Sequence, residues 1–413
     1  MTDLTREPTS ASAGADSSRD ALGGLKVLDM STLFAGPMCA TLLGDYGAEV
    51  IKVENPRQPD AARGHGFQKD GIGLWWKTLG RNKKTLAVNL KEAAGADLIR
   101  SLVADVDIIV ENFRPGVMAK WGLGFEALSE INPGLIVVSV TGFGQFGPKS
   151  SEPGFGTLAE AMSGFASMTG QPDGPPTLPP LALADSIAGI MGAFAAMTAV
   201  HSRLSDGQGQ HIDMSLIEPM LAALGPQVSV FDQLGLVPKR LGNRSENNAP
   251  RNLYETADGR WLAVSTSSQS IAERVIELVG HGEYVEQEWF KSAKGRVEHS
   301  DELDDAVATW VRTKSSQDAL VAFREAHAAA SLVYNAEDII EDEQYTALGS
   351  VIDIDDQDLG SMKMLNVPFR MSHTPGRVQW TGRGHGKDTD EVLSGLGVDE
   401  ETIADLRSRG VVS

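Results

Sequence analysis

One cysteine in 413 residues leaves no disulfide framework and no thiolate pair for a metal or redox site. That usage fits a reducing cytoplasm, and a cytoplasmic location is the expectation. Positive charge is scarce as well. The 36 Lys and Arg stand against 56 Asp and Glu, a formal net charge of -20, which excludes broad nonspecific binding to nucleic acid. The eight histidines include no HExxH and no other pair at i, i+4, so no catalytic zinc site and no bound metal are expected. GxSxG and the P-loop are missing too. No apolar run reaches bilayer length: the most apolar stretch, Ile187–Val200, is rich in Gly and Ala and too short to span, so no membrane partner is expected. The first 20 residues are rich in Ser, Thr, Ala and Asp without an apolar core, and read as part of a disordered tail over 1–22 rather than a signal peptide.

What is present is an alternating pattern. Short apolar runs at Lys26–Met30, Ala48–Val53, Thr85–Asn89, Val106–Val110 and Leu135–Val140 read as strands, several of them continuous enough to be buried on both faces. Helical periodicity falls between them, at Pro37–Tyr46 and Lys91–Val103. This predicts an α/β fold with a Rossmann-like parallel sheet. After the first strand comes DMSTLFAGP rather than GxGxxG, so neither NAD nor FAD is expected. A long helix over Asp185–Leu204 is lined with Gly189, Gly192, Ala193, Ala195 and Ala196, which predicts close backbone packing. Beyond about Gly225 the texture changes to a strand–turn–strand at Asn252–Ser265 and helices at Ser270–Val279 and Asp301–Arg312, a small α+β middle domain. The expected organisation is therefore the tail, a large domain from 23–224 and 331–413, and a small domain with its linkers at 225–330.

Two features carry candidate chemistry. Lys77, Arg81, Lys83, Lys84 and Lys91 concentrate positive charge around one strand. A solvated basic face is the plain reading; a phosphate-holding island is the functional one, since screening confines fields to ~8–10 Å. Asp185 opens the small-residue helix. Locally it reads as an N-cap, and it equally puts a carboxylate beside free helix N–H groups. Cys39, inside the first helix, reads as a buried structural thiol.

Several spaced segments then resemble one family. They are LKVLDMSTLFAGPMCATLLGDYGAEVIKVENP, RNKKTLAVNLK, DIIVENFRPGVMAKWGLGFEAL, NPGLIVVSVTGFGQFGP, MSGFASMTGQPDGPP, LADSIAG with DGQGQHIDMSL, and near the C-terminus VPFRMSHTPG and DTDEVLSGLG. In this order they are similar to the class III (CaiB/BaiF-type) CoA-transferases. The resemblance implies a large α/β domain built from both chain ends, an interlocked homodimer, and transfer of CoA from an acyl-CoA donor to a small carboxylic acid with no tightly bound cofactor. It implies that Asp185 is the nucleophile, forming an acyl–aspartyl anhydride and then an aspartyl-CoA thioester. Arg63, Val88, Leu90, Lys91, Asn112, Phe113, Arg114 and Lys120 match coenzyme A-binding positions, and Leu33, Phe34, Phe155 and Gly156 match the substrate pocket. Three positions depart from the family pattern, among them Phe34, which replaces a polar residue of the oxalate-using members and makes oxalate an unexpected substrate. Asn55 replaces an arginine found in some members, and Gly156 an acidic or aromatic residue. The racemase branch of the superfamily needs a histidine where Phe155 stands, and a phenyl ring cannot shuttle a proton, so racemisation ranks below transfer. A non-catalytic CoA-binding homologue, the remaining alternative, would have lost the nucleophile.

Overall fold

The computed structural model describes Asp20–Ser413. The tail expected over 1–22 lies outside these residues except for its last three, and they are tied down. Asp20 pairs with Arg377 at 2.9 Å, and the Leu22 amide donates to the Tyr46 carbonyl at 2.9 Å.

The apolar runs become strands Lys26–Asp29 (β1), Glu49–Glu54 (β2), Lys83–Ala87 (β3), Ile108–Glu111 (β4), Ile136–Thr141 (β5) and His211–Ser215 (β6). They form one six-stranded sheet in the order β3-β2-β1-β4-β5-β6, with every neighbouring pair parallel. This is the doubly wound order, which reverses between β1 and β4; such sheets bind ligands outside the strand carboxyl ends at that switch point. Side chains alternate across each strand. Leu28, Ile51, Leu86 and Ile109 pack into a core shared with Ile99 of helix Ala93–Val103 and Leu406 of the C-terminal helix Glu400–Ser408.

Helices Ala35–Asp45 (α1) and Leu183–Asp206 (α2) pack against each other and the sheet. The small residues of α2 explain the approach. A Cβ on Gly189 would sit 2.7 Å from Met38 Cβ and 2.9 Å from the Ala35 carbonyl oxygen, and one on Gly192 would sit 3.3 Å from Cys39 Sγ. Cys39 is fully buried, and burial pushes its thiol up to about 12, an inert structural group. At 24 residues α2 is longer than the apolar stretch suggested, and it is long and apolar enough to cross a bilayer. Six small residues of it, Ala184, Ala188, Gly189, Gly192, Ala196 and Ala199, are buried in the packing just described.

The chain divides into two compact units. The sheet belongs to the first, which comprises the chain up to Ser163 together with Pro179–Gly225 and Leu348–Ser413. The second comprises Gly164–Leu178 and Pro226–Ala347. It holds an antiparallel sheet of Arg251–Glu255, Trp261–Ser265 and Ala330–Leu332 over a core including Leu262, Ile276, Phe290, Val307 and Phe323. Its bounds differ from the sequence-based 225–330 for two reasons. Ala330–Leu332 pairs as a third strand and carries the chain onward, and the Gly242 amide donates to the Gly170 carbonyl at 2.9 Å, tying in the earlier loop. The C-terminal part of the first unit also forms an antiparallel hairpin, Val351–Asp356 with Gly360–Leu365.

Candidate active site

The carboxyl ends of β1, β4, β5 and β6 open onto a cavity of about 780 Å³. It lies within the first unit, at the topological switch point. Thr32–Ala35 follow β1, Asn112–Pro115 follow β4, and Thr141, Gly142 and Leu216 close it behind β5 and β6. Asn112 clamps the first two loops together. Its Oδ1 accepts the Thr32 amide and its Nδ2 donates to the Thr32 carbonyl, both at 2.8 Å.

Asp185 faces this cavity from the third position of α2. It is not the N-cap that local sequence suggested: Ala182 occupies that position and makes no side-chain cap. The capping is done by Glu160, on helix Gly156–Met162, whose Oε1 accepts the amides of Leu183 at 3.1 Å and Ala184 at 3.2 Å. Glu160 is 2% exposed. Burial, with the nearby Glu160 carboxylate, pushes the Asp185 carboxyl up to about 6. Gly156 lies directly against it: a Cβ there would be 2.0 Å from Asp185 Oδ2. The departure from the family pattern at 156 therefore makes room for the carboxylate in its observed orientation.

Leu33, Phe34, Asn112, Phe113, Arg114, Phe155 and Gly156 line the same cavity as Asp185. Arg114 makes no ion pair among the described residues, so its charge is free to meet an anion. Sequence reasoning missed His65 and Trp75. They form a ring cluster with Phe34, with centroids 4.8 Å (Phe34–His65), 5.0 Å (Phe34–Trp75) and 5.9 Å (His65–Trp75) apart. Neither residue stands in a recognisable motif, and Glu160 carries no local signal either.

Five expected CoA contacts lie outside the cavity. Arg63 is committed elsewhere: its guanidinium donates to Glu54 Oε1 at 2.7 Å and to the Arg383 carbonyl at 2.9 Å, and stacks 3.8 Å over the Trp76 ring. Val88 is fully buried and Leu90 nearly so, which leaves their side chains in the core. Lys91 and Lys120 are exposed.

The phosphate-holding island also needs correction. Lys77 pairs with Asp356 at 2.8 Å and Asp358 at 2.6 Å, Arg81 with Asp45 at 2.6 Å, and Lys83 with Asp29 at 2.8 Å. Lys84 lies between Glu49 and Glu391. Four of the five cations are neutralised, three of them buried, and only Lys91 presents free charge.

The family model described as CoA-transferase family III matches residues 22–389. The chain belongs to the family III CoA-transferases. A succinyl-CoA–D-citramalate CoA-transferase from Chloroflexus aurantiacus is 39% identical over 95% of this chain and 98% of its own length. A succinate–glutarate CoA-transferase from Agrobacterium fabrum is 34% identical over 92% of this chain and 97% of its own. A crystal structure of a CaiB/BaiF family protein from Brucella suis superposes with a TM-score of 0.81 at 30% identity, covering 92% of this chain and all of that one. This family III CoA-transferase therefore acts on CoA thioesters.

Proposed function

We propose that this enzyme moves CoA from succinyl-CoA to a small dicarboxylic acid, with Asp185 as the covalent carrier. The observation that carries the reading is Asp185 itself: a largely buried carboxylate titrating near 6, ionised at neutral pH yet poorly solvated, on a cavity that holds seven of the other expected site residues. The substrate class rests on the similarity to enzymes named for succinyl-CoA with citramalate, malate or glutarate.

In the first step an Asp185 oxygen attacks the thioester carbonyl, the C–S bond breaks, CoA leaves as its thiolate, and a mixed anhydride of the acyl group with Asp185 remains. The thiolate then attacks the Asp185 carbonyl carbon, releasing the donor acid and leaving an aspartyl-CoA thioester. The acceptor carboxylate attacks that thioester and expels the thiolate again. A final attack of the thiolate on the acceptor's carbonyl gives the new CoA ester and frees Asp185. Thioester is exchanged for thioester, so the sequence is nearly isoenergetic. Asn112, Phe113 and Arg114 bind the pantetheine and phosphate portion; Lys91 and Lys120 meet phosphates from outside the cavity. Leu33, Phe34, Phe155 and Gly156 shape the acyl end. Exposed Ile190, Met191 and Phe194 on α2 support the homodimer that the resemblance implies.

The test is turnover of succinyl-CoA against a panel of acids, read by mass spectrometry, in wild type and Asp185→Asn. A dicarboxylate preference abolished in the variant supports the reading. Exchange of the α-proton in D₂O without any acceptor would favour the racemase instead.

A further inference from the structure

Three ionised side chains are fully buried side by side beneath the loop Ser31–Phe34, and a fourth, Asp60, is buried against them. Lys52 Nζ lies 2.9 Å from Asp60 Oδ2 and 3.5 Å from Asp29 Oδ1; Lys83 Nζ lies 2.8 Å from Asp29 Oδ2. None of these four side chains has exposed surface. Burial pushes Asp29 up, but the two lysine charges outweigh it and hold the carboxyl below the usual range. Such a set is expensive to bury, and well-packed apolar residues of similar volume are often as stable or more so. Stability alone therefore gives no reason for it.

The bonds that these charges make to the backbone give one. Lys52 Nζ donates to the Ser31 carbonyl, and Asp29 Oδ1 accepts the Ser31 amide at 3.1 Å. Asp60 Oδ1 accepts the amides of Leu33 at 3.0 Å and Ala62 at 2.9 Å. Lys83 Nζ donates to the Pro37 carbonyl in the first turn of α1 at 2.7 Å. Within this pinned segment Leu33 has φ +66°, a left-handed conformation that a branched side chain adopts only when its surroundings force it. Leu33 and Phe34 both face the cavity that holds Asp185.

We propose that Asp29, Lys52, Asp60 and Lys83 are positioning residues: a charge-balanced buried frame that holds Leu33 left-handed and so fixes the wall against which the acyl thioester is aligned with Asp185. This rests on the reading of that cavity as the site of acyl transfer. Asp60 is the most direct member, because its carboxylate alone holds the Leu33 amide. A glycine at 33 would adopt the same φ without an anchor.

The experiment is a double-mutant cycle of Asp60→Ala and Leu33→Gly, measuring kcat, KM for succinyl-CoA and melting temperature, with Asp185→Asn assayed in parallel. In the Leu33 background Asp60→Ala should lower kcat about tenfold or more with KM changed less than about threefold, since small misalignments of reacting groups cost rate. In the Leu33→Gly background the same substitution should change kcat by less than about threefold. Asp60→Asn keeps an oxygen for the Leu33 amide, and should retain more activity than Asp60→Ala at equal loss of charge; it also serves if the alanine variant fails to fold. Equal loss in both backgrounds, or unchanged kcat in Asp60→Ala, would overturn the inference. Wild-type turnover in Asp185→Asn would instead overturn the site reading on which it rests.

Discussion

Asp185 is held in a place that disfavours its charge, and that has consequences for both rate and stability. Burial first, and Glu160 second, raise its carboxyl to about 6. A nucleophilic carboxylate must be ionised, so kcat/KM should fall about tenfold per pH unit below pH 6 and level off above pH 7. Because the folded value lies above the ordinary 3.8, wild-type stability is lost as pH rises from about 4 through 6. Asp185→Asn should therefore melt higher than wild type at pH 7.5, by up to about 3 kcal/mol, with a smaller gap at pH 5. Calorimetry at the two pH values checks this, and an equal gap at both would contradict it. Glu160→Gln keeps an acceptor for the two helix amides and removes the neighbouring charge, so the acid limb of the rate profile should move to lower pH. An unmoved limb would leave burial as the sole cause. Gly156→Ala introduces a Cβ 2.0 Å from the present place of Asp185 Oδ2, and should cut kcat in a steady-state assay.

The elements were readable because their causes are local. Continuous β-branched runs such as Ile108–Val110 and Ile136–Val138 have no other stable use than a strand covered on both faces. The small-residue stripe of α2 announced close packing, and Gly189 meets Met38 and the Ala35 carbonyl. Gly189→Val should force α1 and α2 apart, cost on the order of 1–3 kcal/mol and lower kcat, because α2 carries Asp185. A thermal melt and a rate measurement on the same sample check both. What local sequence could not give was the start of α2. Its N-terminal amides are satisfied from another helix by Glu160, so Asp185 is freed from the capping role that its position suggested. His65 and Trp75 were illegible for the same reason: they reach the cavity through the fold alone.

Across the whole chain, the charge pattern shows why a linear reading of electrostatics misleads. The acidic C-terminal third returns to the basic strand region: Lys77 pairs with Asp358, 281 residues on, and with Asp356 in the same hairpin turn. Positive charge that looked available for a polyanionic substrate instead ties the two chain ends into one unit. Replacing Asp356 and Asp358 together with Ala should strand a buried lysine and cost about 3–5 kcal/mol without raising KM for acyl-CoA. Lys91→Ala, at an exposed lysine free of such a partner, should raise that KM and leave the melting temperature unchanged. The reverse pattern would restore the phosphate-island reading. The family and its α/β order were legible from spaced motifs; which basic side chains stay unpaired was not, since Arg114 lies on the cavity without an ion pair among the described residues while Arg63 is held by Glu54, nine residues before it.

The account stands or falls on covalent chemistry at Asp185. The enzyme should be incubated with succinyl-CoA, quenched with hydroxylamine and mapped by peptide mass spectrometry. The account predicts a hydroxamate on the peptide containing Asp185, dependent on succinyl-CoA and lost when an excess of acceptor acid drains the intermediate. A turning-over enzyme with no adduct at Asp185, or with the adduct on another side chain, would contradict it.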